Sequence, residues 1–206
     1  MKTLYKKIIV LLSLIITINI IAAEKEINFT NKNNWILEKS SSYLNFTSIK
    51  NNKIVEVHRF NKLSGEINKD GIVDVVINLK SVNTGIEIRD QRLQEYIFDT
   101  KKYPTAIFSA HIDVDKILSK LYQNPVYKTI LEGYLNLKEH KVLLKIPVDI
   151  KYLSNKRVQI MSTSPIMLNI NDFKMADGLE KIKNLVNLDS IGVNIPVNFK
   201  VVFIKK

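Results

Sequence analysis

Ser81–Phe108 reads SVNTGIEIRDQRLQEYIFDTKKYPTAIF, and its punctuation decides the architecture. Thr84, followed three residues later by Glu87, has the T-x-x-E spacing of a reciprocal capping box and predicts a helix start. Ile86, Leu93 and Ile97 fall at i, i+7 and i+11, one apolar stripe on an otherwise charged helix of about residues 85–97. Tyr103-Pro104 keeps the residue before proline extended and stops the helix from running on. Ala106, Phe108, Ala110, Ile112 and Val114 then fall on one parity, with Ser109, His111 and Asp113 between the later ones, as in a strand. A helix set between two strands predicts a plug or lid over one end of a sheet.

The same period of two recurs along the chain. Val73, Val75, Ile77 and Leu79 share one face, as do Val142, Leu144, Ile146, Val148 and Ile150. From Ile191 to Phe203 every odd position is apolar, while Asn194, Asn198 and Lys200 take the other face. Strands with one dry and one wet face form antiparallel meanders or barrels rather than parallel α/β sheets. The last run would be about 43 Å long at roughly 3.3 Å per residue. That length fits a tilted barrel of about eight strands, whose interior holds side chains or one slim ligand.

Lys69-Asp70-Gly71, Lys138-Glu139-His140 and Ser154-Asn155-Lys156 supply turns. Asp115–Asn124 reads as a longer connection, and about residues 178–188 as a second short helix with Leu179, Ile182, Leu185 and Val186 on one face. Pro147 and Pro196 fall inside strands, which predicts bulges or a local edge. Between positions 54 and 67, Val55, Val57, Leu63 and Ile67 share parity, but Arg59 intrudes and Phe60 points the other way. A bulge near Phe60 would restore the register.

Met1–Ala23 has a basic start (Lys2, Lys6, Lys7), an apolar run from Ile8 to Ile21 and a small-residue exit at Ala22-Ala23. This predicts a cleaved signal peptide and a periplasmic or secreted protein, residues 24–206 forming one domain. The apolar run is too short to span a bilayer. Losing three lysines would lower the net charge from +11 to +8. Lysine outnumbers arginine 27 to 4 and is scattered, which argues for a solvated face rather than a nucleic-acid reader, where guanidinium groups dominate. The chain has no cysteine, which removes disulfides and thiolate chemistry.

TGxxxRDxxL followed by F-D-x-x-x-YP-x-x-x-F in the opening stretch resembles the signature of the YceI-like family. Trp35-Ile36-Leu37 with Ser42, Leu44 and Phe46 is similar to that family's first strand, Phe60 with Leu63-Ser64-Gly65 to its second, and Leu188–Phe199 to its closing strand. Gly133-Tyr134-Leu135 resembles its G-x-L strand start. The resemblance implies a mainly β, antiparallel eight-stranded lipocalin-like barrel that binds polyisoprenoid or a similar long-chain lipid. Three positions depart from the pattern: Ser41 where the family has His, Arg92 where it often has His, and Ile170 where it has Arg.

Candidate site residues follow from the dry faces and the helix. Phe46, Phe60, Leu93, Phe108, Ile146, Val148, Val197 and Phe199 are expected to face the interior. Arg89, Asp90 and Arg92 belong to the capping helix. Arg89 or Arg92 could donate hydrogen bonds to a ligand's polar head while apolar walls supply affinity. Arg89 and Asp90 could equally serve to fix the helix. His111-x-Asp113-x-Asp115 has metal-donor types, but on the polar face of a strand it is expected to be solvated surface. The sequence shows no G-x-S-x-G elbow and no phosphate-cradling glycine loop. No catalytic residue, metal or cofactor is expected.

The expected function is therefore a carrier of a long apolar molecule: a polyisoprenoid, a quinone or a fatty amide. A structural or partner-binding envelope module and a lipid-ester hydrolase are the competing readings. Transient contact with an anionic membrane surface and a homodimer are both compatible with the sequence.

Overall fold

The computed structural model describes residues 34–153 and 156–206. The leader-like Met1–Ala23 and two turn residues, Ser154 and Asn155, lie outside them. β1 (Trp35–Leu37) and β2 (Tyr43–Lys50) are halves of one wall, joined by a 3-10 turn at Lys39–Ser41. β3 (Ile54–Phe60) and β4 (Leu63–Ile67) are halves of the next, broken at Asn61-Lys62. β5 (Ile72–Asn78) and the short β6 (Val82–Asn83) lead into α1 (Glu87–Arg92), which continues as a π turn over Leu93–Phe98.

β7 (Thr105–His111), α2 (Val114–Gln123), β8 (Tyr127–Leu137), β9 (His140–Leu153), β10 (Arg157–Ser162) and β11 (Ile166–Asn169) come next. α3 (Ala176–Leu185) and β12 (Asn194–Lys205) complete the order.

All strand pairs are antiparallel. The path β1-β4-β5-β7-β8-β9-β10-β12 returns to β1 through the register Trp35↔Lys205, which closes an eight-stranded barrel. β2, β3 and β11 extend three of its walls toward one end. Closure leaves the ring itself without an edge; edges remain on the extensions, at β3, which β6 covers only at Arg59↔Asn83 and Phe60↔Val82, and at β11, which pairs β12.

The alternating residues fill the interior as their period requires. Val73, Val75 and Ile77 of β5, Ile146, Val148 and Ile150 of β9, and Val201 and Phe203 of β12 join one buried cluster. Turn chemistry follows the sequence. Lys138 and Glu139, both at positive φ, make the two-residue hairpin between β8 and β9, and Gly71 takes φ +77° before β5. Pro147 and Pro196 sit where the pairing with one neighbouring strand has ended, beyond Ser162↔Val148 and Val197↔Phe46 respectively. Their missing N–H groups interrupt no ladder on that side.

Four expectations need correction. The break at Asn61-Lys62 switches parity, so Leu63, Gly65 and Ile67 face inward below it while Val55 and Val57 face solvent, at 62% and 66% exposure. Thr84 and Glu87 form no capping box. Ile86 is the cap residue, and Thr84 gives its backbone N–H and hydroxyl to Asp90 instead, at 2.8 and 2.6 Å. Asp115–Asn124 is not a loop. Asp113 accepts from Lys116 N at 2.9 Å and caps α2, and Leu121 is buried on one face of that helix. The closing strand begins at Asn194 rather than Ile191, which makes an isolated bridge to Lys50.

α3 lies against the π turn at close range. A Cβ on Gly178 would stand 1.9 Å from the Tyr96 carbonyl oxygen, so only glycine permits this approach. The two helical segments thus form a joined cover over one end of the barrel.

Candidate ligand cavity and its polar rim

A cavity of about 500 Å³ occupies the barrel beneath the helical cover. Its walls come from both sides of the ring: Val73, Val75 and Ile77 on β5, Leu144 and Ile146 on β9, Ile195, Val197 and Phe199 on β12. Leu93, Ile97 and Phe98 of the π turn and Leu179 and Ile182 of α3 roof it. Ile54, Ile86, Ile88 and Val186 line the cavity yet are exposed to solvent. They mark its mouth, between the β2–β3 hairpin, the start of α1 and the connection from α3 to β12.

Almost the whole lining is hydrocarbon. Its polar members are Ser48, Lys50, His58, Arg89 and Arg92, and the sequence brings them together through one hairpin and one helix. Asn51 and Asn52, both near φ +50°, turn the chain so that Ser48 pairs with Glu56 and Phe46 with His58. Directly opposite residues of an antiparallel pair share a face. Phe46, Ser48, Glu56 and His58 therefore look the same way, with Phe60 two residues further along.

Going inward, polarity falls in steps. At the rim Glu56 is ion-paired with Lys50 and accepts from Arg89 Nη1 at 2.7 Å, while Arg89 Nη2 donates to the Thr84 carbonyl at 2.9 Å. The Arg89 hydrogen bond, supported by Lys50, holds the Glu56 carboxyl down to about 2. Next comes His58, buried, with Nε2 2.8 Å from Ser48 Oγ and no partner for Nδ1. Burial pushes its pKa down, and the Arg89 charge acts in the same direction. Below lies a row of rings: Phe46 to His58 at 5.2 Å, Phe46 to Phe60 at 5.3 Å, Phe60 to Phe98 at 5.7 Å. A buried nitrogen with no partner costs about 1–3 kcal/mol, so His58 is an expensive residue to place in a wall that Leu would fill.

Of the residues expected from sequence, Phe46, Phe60, Arg89, Arg92, Leu93, Phe108, Ile146, Val197 and Phe199 all line this cavity. Two do not. Val148 is on the dry face but is packed solid at 1% exposure, and Asp90 is spent on Thr84. Sequence reading missed Ser48, Lys50 and Glu56 and left His58 unassigned. The signal was the Asn51-Asn52 turn, which fixes the hairpin register that gathers them. His111 and Asp113 build no metal site: His111 Nε2 lies 3.0 Å from the Asp70 carbonyl, and Asp113 caps α2. Among the described residues no three His or acidic side chains converge on a point.

The YceI-like domain pattern matches residues 35–203, nearly the whole described chain. The chain belongs to the YceI-like family. It is similar to the structure of a polyisoprenoid binding domain from Saccharophagus degradans implicated in plant cell wall breakdown. The two share 30% identity over 84% of this chain and 98% of that one, with a TM-score of 0.80. Its fold is also that of Burkholderia cenocepacia BcnA, at 15% identity over 81% of this chain and 98% of that one, TM-score 0.61. No curated protein is similar enough to match.

The family departures find distinct places. Ser41 accepts from Arg157 Nη2 at 3.0 Å beside an Arg157–Glu38 ion pair and does not touch the cavity. Arg92 lines it near the mouth. Ile170, where the YceI-like pattern carries Arg, is a buried part of the wall, so this chain keeps that side dry.

Proposed function

We propose that the chain binds and carries a long apolar molecule, a polyisoprenoid, quinone or fatty amide, inside the barrel. The observation that carries this reading is the cavity itself: about 500 Å³, walled by hydrocarbon from opposite sides of a closed ring and open at one mouth. That volume falls within the roughly 300–1,000 Å³ of small-molecule sites. Each methylene buried there contributes about 0.8 kcal/mol, so a tail of roughly ten carbons offsets the ordering costs of binding. The polyisoprenoid-binding domain of Saccharophagus degradans, similar over most of both chains, supports the ligand class.

Arg92 and the exposed isoleucines would receive the ligand at the mouth, while Phe46, Phe60, Phe108 and Phe199 enclose its tail. Export is part of the proposal and is supported by the leader-like Met1–Ala23. Transient contact with an anionic membrane would load the cavity, and the exposed Lys53 next to Ile54 at the mouth supports that route. A homodimer is compatible with this scheme and is not required by it. Organic extraction of the purified protein followed by mass spectrometry tests the carrier reading. A co-purifying long-chain lipid is expected; a clean extract together with no uptake of added lipid would end it.

One observation favours a hydrolase as the second reading: the Ser48–His58 pair at 2.8 Å inside the cavity. A triad would also place a carboxylate on the far imidazole nitrogen, and Nδ1 has none. Release of fatty acid from a bound long-chain ester, abolished by Ser48→Ala, would establish hydrolysis; intact ester after prolonged incubation supports carriage alone.

A further inference from the structure

Within the cavity, one buried ring is left incomplete at the boundary between the charged rim and the ring-lined depth, beneath an Arg89 whose buried Nε also lacks a partner. His58 is 4% exposed, lines the cavity, and keeps Nδ1 without a partner. The Glu56 carboxylate and both η nitrogens of Arg89 are already engaged. Glu56 holds Lys50 and Arg89, and Arg89 also serves the Thr84 carbonyl.

Proton counting favours one tautomer of the ring. The Ser48 hydroxyl must place its proton somewhere, and the acceptor beside it is His58 Nε2. With Ser48 donating, the neutral ring carries its own proton on Nδ1. The opposite arrangement strands both the hydroxyl proton and the Nδ1 lone pair. The Lys50 and Arg89 charges next to the site also favour an oxygen that brings electron density rather than a second donor. We infer that His58, oriented by Ser48, reads the head of the ligand, donating from Nδ1 to the carbonyl oxygen of a neutral, long-tailed molecule. The inference rests on the carrier reading and narrows it: an amide, ester or quinone head satisfies the site, and a bare hydrocarbon leaves it unpaired. Rings at Phe46 and Phe60 continue the wall directly below, so a head held by His58 sends its tail down the row into the barrel.

The test uses the folded protein with a displaceable fluorescent apolar probe and competitors that share one tail: hexadecane, hexadecanol, palmitate, palmitamide and methyl palmitate. Palmitamide and methyl palmitate are expected to compete about tenfold better than hexadecane, the gain of one buried hydrogen bond. His58→Phe keeps a ring against Phe46 and should reduce that preference, read as the ratio of amide to hexadecane competition within the variant, to within about twofold. Ser48→Ala, a smaller perturbation that frees the tautomer, should lower the preference several-fold. An undiminished carbonyl preference in both variants overturns the assignment, as does palmitate outranking palmitamide, which would move the head to Arg92. Hexadecane competing as well as the amide in the native protein overturns the head reading but leaves the carrier intact. Failure of every tailed competitor overturns both.

Discussion

Arg89 Nη1 donates to the Glu56 carboxylate at 2.7 Å, and the same guanidinium reaches the Thr84 carbonyl at 2.9 Å. One side chain thus ties the entrance of α1 to the outer half of the second barrel wall, across the mouth of the cavity. Its sequence neighbour Asp90 secures the other side of the same loop through Thr84. The Arg-Asp pair clasps the rim, and Arg89 also lines the cavity.

Removing the clasp should loosen the cover before it unfolds the barrel. Glu56→Gln and Arg89→Ala are each expected to cost about 1 kcal/mol, since the pair is partly solvated, and to lower Tm by roughly 2–4 °C. Circular-dichroism melts check the stability. Stopped-flow release of a bound lipid should show a several-fold faster off-rate in both variants.

Acid should act on the same contact. The Glu56 pKa is about 2 in the folded protein and 4.5 ordinarily, so its stabilisation is complete above about pH 4.5 and fades toward pH 2. Urea titrations between those limits should show a shallower acid slope for Glu56→Gln than for the native chain.

His58 carries the opposite exchange. Its folded pKa lies below 6.5, so the unfolded state takes up a proton first and stability falls as pH drops below about 6.5. Burial depresses this pKa most, the Arg89 and Lys50 charges act in the same direction, and Glu56 and Asp90 oppose them. His58→Phe should flatten the pH 5–7 portion of the urea midpoint profile; an unchanged slope would show that His58 does not govern it.

Filling the tunnel should separate binding from folding. Val197→Phe adds volume into the cavity from a buried strand position. Tm is expected to hold or rise slightly, while lipid uptake falls at least tenfold in a probe-displacement titration. By contrast, Gly178→Ala drives a methyl against the Tyr96 carbonyl and should cost about 1–3 kcal/mol through overpacking, read by the same melts.

The barrel was legible because period two is an intrinsic property of each strand, visible in Val73–Leu79 or Val142–Ile150 without knowledge of any partner. Cavity residues on those strands, such as Phe108, Ile146 and Phe199, could be named from parity alone. Parity did not say which inward positions are filled, and Val148 is packed solid for that reason. α2 was missed because the alternation Ile112, Val114 carried the strand reading past its end, although Asp113 ahead of Val114, Ile117, Leu118 and Leu121 is a helix pattern. The polar cluster at the rim was invisible for a different cause. Lys50, Glu56, His58 and Arg89 meet only after a hairpin register and a helix position are both set, and no local pattern encodes that meeting.

The pairing of the first strand with the last has a kinetic side. Ser42 Oγ accepts from the Val202 backbone across 160 residues of chain, and Trp35 lies opposite Lys205. Seven walls can line up in order, each beside its predecessor, but the ring stays a curled ribbon with two sticky margins until the final dozen residues arrive. Topologies with such distant partners fold slowly and leave apolar surface open to aggregation meanwhile. A newly made chain would therefore remain an unsealed ribbon for as long as its tail is withheld.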